Sequence, residues 1–157
     1  MDVATPAPGL GGPFVTSDNS GWNGDYTLDY NYEATYYGAY ASGHPELAQL
    51  YWQPIIDGMG PALRGAVDRA SANKLAGCAK TALHYNAHIG PWGAGDMDEN
   101  WETNSGQHMM WNGAFGALLF MNDMEYMGVS RADFFRNKSL PVLEGLLDWW
   151  ACYLTKV

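Results

Sequence analysis

The segment Trp22–Glu33 has the sequence WNGDYTLDYNYE, in which acidic and amide side chains lie between aromatic ones. From Tyr26 to Tyr32 apolar residues alternate with polar ones, which is the spacing expected of a β-strand. In an extended strand, the side chains at positions 29, 31 and 33 project from one face. Asp29 and Asn31 could then hold one water molecule between them, because a carboxylate accepts hydrogen bonds and an amide both donates and accepts them.

This carboxylate–amide pair has two interpretations. An inverting glycoside hydrolase needs a water molecule that the protein aims at the anomeric carbon of a sugar. A turn-rich aromatic strand with solvated polar side chains would show the same spacing. The spacing alone leaves both interpretations open.

The composition of the chain narrows the class of protein. Its 157 residues allow one domain or part of one, and the 47% of hydrophobic residues suffice for a core. With 8 Lys+Arg against 17 Asp+Glu, the net charge of −9 makes nucleic acid and anionic membrane unexpected partners. No apolar run of about 18 residues predicts a transmembrane helix, and no signal peptide is visible in residues 1–12. The compartment therefore stays open.

Aromatic residues are in excess, since 7 Trp, 10 Tyr and 5 Phe make up 14% of the chain. The 19 Gly and 8 Pro residues indicate that much of the chain is loop. An acidic chain rich in rings and loops suits the binding of neutral polar ligands with flat apolar faces, of which sugars are the commonest. The alternative is that most of the rings are simply core residues.

Hydrophobic periodicity predicts mainly helices joined by long loops. The expected elements are a loop-rich lead-in over residues 1–21, a short helix from residue 33, helices over 45–59, 62–72, 108–127 and 140–154, and a short strand over 81–85.

Two of these helices bear on the fold class. Helix 108–127 is apolar on nearly every side and is expected to be buried. Alternating helices and long loops, with short strand segments, are typical of an all-α toroid built of helical hairpins. Helix 108–127 needs more partners than the chain provides, which indicates part of a larger domain. The last helix should bury a broad stripe formed by Leu140, Leu143, Leu147, Trp150 and Leu154.

The aromatic segment resembles a motif of glycoside hydrolase family 95, the inverting α-L-fucosidases and related α-L-galactosidases. The family's segment reads Gly-Asp-Tyr-His-x-Asn-x-Asn-x-Gln, and its two Asn residues position the attacking water with help from a downstream Asp. Gly24-Asp25-Tyr26 matches the start of this segment, and Asn31 falls on its second Asn.

The chain departs from the family segment in three places: Thr27 replaces His, Asp29 replaces the first Asn, and Glu33 replaces Gln. An Asp in the place of the first Asn could itself act as the base, or could mark a different specificity. The resemblance therefore implies Asp29 and Asn31 as the catalytic pair and leaves the sugar open.

The resemblance continues more weakly through residues 88–93, 110–115 and 134–154. It implies that residues 22–157 form part of an (α/α)6 toroid, the six-hairpin glycosidase fold, acting on a carbohydrate. Members of the family are often exported, although nothing in these residues indicates export. The residues implied to bind or brace the sugar are Trp22, Asp25, Glu33, His88 and Trp92.

The general acid of the family, a Glu, would fall beyond Val157. A glycosidase needs an acid at the leaving oxygen as well as a base at the water. The remainder of the catalytic domain is therefore an expected partner, and the isolated chain is expected to be inactive.

Two other functions stay open. A non-catalytic carbohydrate-binding or degenerate glycosidase module would keep the aromatic cleft without the acid. A metal-dependent hydrolase would use His84 and His88, which share a face at spacing i, i+4. Against it, Tyr85 stands where the zinc-protease motif has Glu, and no metal or other cofactor is expected.

The two cysteines, Cys78 and Cys152, lie in apolar or small-residue surroundings. Buried free thiols are the favoured interpretation, and a disulfide is the alternative.

Overall fold

The computed structural model describes residues 7–9, 18, 24–28, 30–60, 62, 80–91 and 110–156. In chain order, its elements are strand β1 (Tyr26–Thr27), helices α1 (Asn31–Ala34), α2 (Gly38–Ala41) and α3 (Ala48–Asp57), strand β2 (His88–Ile89), and helices α4 (Asn112–Gly116), α5 (Leu118–Met127), α6 (Ala132–Phe134) and α7 (Leu140–Lys156). Short 3-10 helices cover Pro45–Leu47 and Gly128–Arg131, and a π-helical turn covers Phe135–Ser139. The predicted mainly α class is confirmed, and these helices are compatible with part of a helical toroid.

Helix α3 follows the predicted signals closely. Pro45 opens the preceding 3-10 helix, where its missing N–H costs nothing, and Glu46 lies in the same first turn. The helix ends at Gly58, where a Cβ atom would lie 3.0 Å from the Pro54 carbonyl oxygen and 3.2 Å from the Tyr85 ring. A larger residue would push the helix end away from its neighbour. The helix predicted over 62–72 lies outside the described residues except for position 62.

The sheet is shorter than the alternation predicts. Strand β1 pairs antiparallel with β2, so that Tyr26 lies opposite Ile89 and Thr27 opposite His88. The prediction of a strand over 81–85 is wrong, because the N–H groups there bond to other segments: that of Leu83 donates to the Gly145 carbonyl at 2.8 Å. The prediction that β1 continues to residue 32 is also wrong, because α1 begins at residue 31.

Stacked tyrosines form the core beside the sheet. The ring of Tyr32 stacks on Tyr26 at 4.6 Å and on Tyr51 at 5.1 Å between centroids. Their hydroxyls reach backbone carbonyls, as when Tyr32 donates to Leu50 at 3.1 Å. Burial raises the pKa of Tyr26 to about 12, and burial also raises the pKa of Tyr51. These rings are core residues, as one of the two interpretations of the aromatic excess predicts.

Helices α4 and α5 occupy the position of the predicted helix 108–127. The expectation that this helix is buried on most sides is wrong, since Trp111, Leu118 and Met121 are exposed. The buried side of α4 is formed instead by two glycines and the polar Asn112. A Cβ atom on Gly113 would lie 2.4 Å from the Leu146 side chain, so the neighbouring helix packs directly against the backbone.

Helix α7 forms where predicted but buries a different stripe. The predicted stripe is wrong in that Leu147 and Leu154 are exposed. The buried face instead carries Val142, Leu146 and Trp149. This face also contains Gly145, whose absent side chain lets Leu83 approach, which explains why the helix turns this side inward.

Two further predictions meet the structure here. None of the helices in the described residues is long and apolar enough to cross a membrane. Cys152 is disulfide-bonded, so the favoured interpretation of a free thiol is wrong for this residue. Its partner lies outside the described residues.

Candidate active site

A strained turn links β1 to α1 within residues 24–33, the segment that resembles the motif of family 95. Tyr30 has φ of 113° and ψ of −42°, a conformation that residues with a side chain rarely adopt. Such a conformation costs on the order of 1–3 kcal/mol and persists only where its surroundings impose it. The carbonyl of Tyr30 accepts the first helical hydrogen bond, from Ala34 at 2.9 Å, so the strained residue is also the N-cap of α1.

The buried side chain of Glu33 stabilises this turn from the interior of the protein. Its Oε2 accepts a hydrogen bond from the backbone N–H of Tyr30 at 3.3 Å, which is one half of a capping box. The carboxylate is buried and faces α4, because a Cβ atom on Gly116 would lie 3.6 Å from its Oε1. Burial, and after it the charge of Glu33, raises the pKa of Tyr51. The structure thus places Glu33 in the interior, beneath the turn.

Asn31 is the first residue of α1 and is exposed. The expectation that Asn31 and Glu33 project from one face is wrong, because they belong to a helix, where residues two apart point about 200° from each other. Asp29 lies outside the described residues, so the arrangement of the Asp29–Asn31 pair stays a prediction.

The sheet register brings Asp25 and His88 together. His88 Nδ1 is hydrogen-bonded to Asp25 Oδ2, and Thr27 donates its hydroxyl hydrogen to Asp25 Oδ1 at 2.7 Å. All three residues are buried. This contact joins Nδ1 of His88 to a carboxylate oxygen and fixes the orientation of the imidazole ring. The two residues are thus held as one rigid unit.

Asn112 joins this unit to helix α4. With its amide nitrogen towards β1, it donates to the Leu28 carbonyl at 3.2 Å, and its oxygen accepts from the Ala87 N–H at 3.1 Å. It is completely buried. The sequence signal for it was a lone amide in an otherwise apolar helix, and the site prediction did not include it.

The remaining predicted residues are two tryptophans expected at the sugar site and the two histidines of the metal-dependent alternative. Trp22 and Trp92 lie outside the described residues. His84 is buried with its ring 5.0 Å from that of Trp149, while His88 is bonded to Asp25. Within the part of the chain that the structure describes, no three potential metal ligands come together.

Comparison with known proteins bears on the whole chain. The model of the glycosyl hydrolase family 95 catalytic domain matches residues 3–157. No curated protein and no solved structure matches the chain. The family match confirms the resemblance expected from the aromatic segment and implies a carbohydrate substrate. The chain therefore belongs to glycosyl hydrolase family 95.

Proposed function

We propose that this chain supplies the water-positioning side of an inverting glycoside hydrolase that releases terminal sugars such as α-L-fucose. The support is family membership together with the segment at residues 24–33. The observation that carries most of the proposal is the strained backbone of Tyr30, which stands between Asp29 and Asn31 in the chain. Strain of this kind is concentrated at functional sites, because only a site that needs a fixed geometry retains it.

In this proposal Asp29 is the base and Asn31 orients the water. Asp29 accepts a proton from the water as the water oxygen bonds to the anomeric carbon. The bond from that carbon to the leaving oxygen breaks, and an acid on the opposite face of the sugar protonates that oxygen. The amide of Asn31 directs the water because it accepts one hydrogen bond and donates another.

The buried unit of Asp25 and His88 acts as a brace in this proposal. It lies at the strand pair that leads into the strained turn, which supports a role in holding β1 rather than in contacting solvent-borne sugar. Trp22 and Trp92 are proposed to form walls of the sugar site. Glu33 is proposed to act on the sugar through the turn that it caps.

The general acid is proposed to come from a part of the (α/α)6 domain that residues 1–157 do not supply. Supporting this, helices α5 and α7 expose large apolar side chains that a further layer of helices would cover. Leu118 and Met121 do so on α5, and Leu147 and Leu154 on α7. The remaining helices of the toroid are thus the proposed partner of this chain.

The leaving group separates the two halves of the proposed chemistry. Fluoride departs with little help from an acid, so the chain should hydrolyse α-L-fucosyl fluoride even though it is expected to be inactive towards methyl α-L-fucoside, whose methoxide needs an acid to leave. Asp29→Asn should lower the rate with the fluoride by about 100-fold or more, since general base catalysis typically contributes 10²–10⁴-fold. A control variant is Asp57→Asn, an exposed carboxylate at the end of α3, which should keep the full rate.

Three results would contradict the proposal. Turnover of methyl α-L-fucoside would show that the chain contains its own acid. An unchanged fluoride rate in Asp29→Asn would remove the base. Saturable sugar binding without hydrolysis of either substrate would favour a non-catalytic carbohydrate-binding module.

A further inference from the structure

We propose that Tyr30 and Tyr37 form an aromatic platform on which a neutral pyranose ring of the substrate stacks, beside Asn31. The choice of ligand rests on the proposed function, while the platform itself rests on the geometry of two tyrosines. Neither residue is among those that the family resemblance implies to bind sugar.

The first observation is exposure. Tyr30 is 56% exposed and Tyr37 is 42% exposed, whereas the neighbouring Tyr26 and Tyr32 are buried in the core stack. The two exposed rings meet edge to face, with centroids 6.3 Å apart and planes at 65°. Such a pair holds its rings in a fixed relation before any ligand arrives.

The second observation is what keeps the Tyr30 ring outside. An alternating strand would have turned Tyr30 inward with Tyr26 and Tyr32, but the positive φ of Tyr30 breaks that alternation. The carboxylate of Glu33 accepts the Tyr30 N–H and so holds the turn. The unfavourable backbone conformation at Tyr30 therefore has a second consequence besides fixing the turn, because it leaves an aromatic ring exposed instead of buried in the core.

The third observation is the neighbourhood. Asn31 is exposed and follows Tyr30 directly in the chain, so an exposed amide residue is the immediate neighbour of one platform ring. Burial, then the nearby charges of Glu33 and Tyr30, raises the pKa of Tyr37. The phenol, protonated at neutral pH like that of any tyrosine, can donate a hydrogen bond to a sugar hydroxyl. The C–H face of a pyranose and its hydroxyl edge match a ring face with polar groups at its border.

Sugar binding to the purified chain tests the platform directly. The probe is methyl α-L-fucoside, titrated by calorimetry or by chemical-shift change. Tyr37→Ala and Tyr30→Gly should each weaken binding about tenfold or more, while Tyr37→Phe, which keeps the ring, should stay within about threefold. The matched control is Tyr126→Ala: Tyr126 is 59% exposed and stacks on Tyr40 rather than on Tyr30 or Tyr37.

Tyr30→Gly distinguishes the loss of a ligand contact from a loss of folding stability. Glycine tolerates positive φ, so this variant should melt at a temperature equal to or above that of the unchanged protein while binding sugar less well. Weaker binding by a protein that is not less stable identifies a contact with the ligand. A merely structural Tyr30 would show the opposite, with lower stability and unchanged affinity.

The outcomes separate the platform from the proposed reaction. If the chain hydrolyses fucosyl fluoride and both tyrosine variants bind the probe as tightly as the unchanged protein, the platform is wrong and the reaction stands. If the variants lose binding but neither substrate is hydrolysed, the platform stands and the reaction is wrong. If the unchanged protein binds no probe at millimolar concentration, or Tyr126→Ala weakens binding equally, the platform is overturned.

Discussion

Asp25 and His88 are bonded to each other across the strand pair, 63 positions apart in the chain and almost completely buried. The pair lies where β1 leads into the strained turn, with Asn112 closing the same strand pair from helix α4. Three distant parts of the chain thus meet at the base of the candidate site. Its geometry therefore depends on tertiary contacts as well as on the aromatic segment itself.

Removing Asp25 should destabilise the fold. Asp25→Ala leaves the buried imidazole of His88 without its carboxylate, and the loss of a buried hydrogen-bond partner typically costs about 1–3 kcal/mol. Chemical denaturation followed by circular dichroism measures this loss. His44→Ala is the matched control, because His44 pairs with Glu46 at 2.9 Å on the surface and should leave the midpoint unchanged. Equal effects of the two variants would contradict the account of the buried unit.

Two glycine-to-alanine substitutions should change the stability of the protein in opposite directions. In Gly145→Ala the new Cβ would lie 2.4 Å from the Leu83 side chain and 3.0 Å from the Thr81 carbonyl oxygen, so overpacking should cost about 1–3 kcal/mol. Gly38, in helix α2, has nothing within 4 Å of the same position. Gly38→Ala should therefore stabilise the protein by up to about 1 kcal/mol. Thermal melts of the two variants check the pair, and an undiminished melting temperature in Gly145→Ala would argue against the packing described for α7.

Glu33 should matter through its acceptor oxygen more than through its charge. Glu33→Ala leaves the Tyr30 N–H without this acceptor and should lower the free energy of unfolding by about 1–3 kcal/mol. Glu33→Gln keeps a carbonyl oxygen at the same place and should recover much of that loss. Urea denaturation compares the two variants. A glutamine variant as unstable as the alanine variant would mean that the charge, rather than the cap, is what the turn needs.

Asp123 should make stability fall as the pH rises. Burial raises its pKa, although the Tyr40 hydroxyl at 3.0 Å and the Arg131 guanidinium at 3.7 Å act in the opposite direction. With the folded pKa above the unfolded one, its contribution is complete below about pH 4, the ordinary value, and is lost as the pH rises through the folded pKa. Urea denaturation between about pH 3.5 and pH 7 should show that the free energy of unfolding of Asp123→Asn increases relative to that of the unchanged protein as the pH rises. A gain for the unchanged protein over the same range would mean that the Arg131 pair outweighs burial.

The helices α3 and α7 could be predicted because their limits are written in local signals, such as Pro45 at a helix start. The buried sides of α4 and α7 could not be predicted, because they are determined by the close approach of neighbouring side chains to Gly113 and Gly145. A hydrophobicity pattern assigns the largest apolar residues to the core, whereas these helices approach their neighbours through missing side chains. Leu147 is left outside as a result.

The candidate site was predictable in its residue types but not in its geometry. Asp25 and His88 were both expected at the site, yet only the register of β1 and β2 reveals that they bond to each other. The turn at Tyr30 could not be predicted from the alternation of apolar and polar residues, because the strand ends at a strained residue before its apolar pattern ends. Asn112 escaped prediction because its partners are backbone groups far away in the chain.

The configuration of the first sugar released from α-L-fucosyl fluoride tests the proposed chemistry most directly. A proton NMR spectrum taken within the first minutes distinguishes the two anomers before they interconvert. A water held by Asp29 and Asn31 on the face opposite the leaving group should yield the β-anomer first, and Asp29→Asn should abolish its formation. Initial release of the α-anomer, or undiminished release by Asp29→Asn, would contradict the assignment of these two residues.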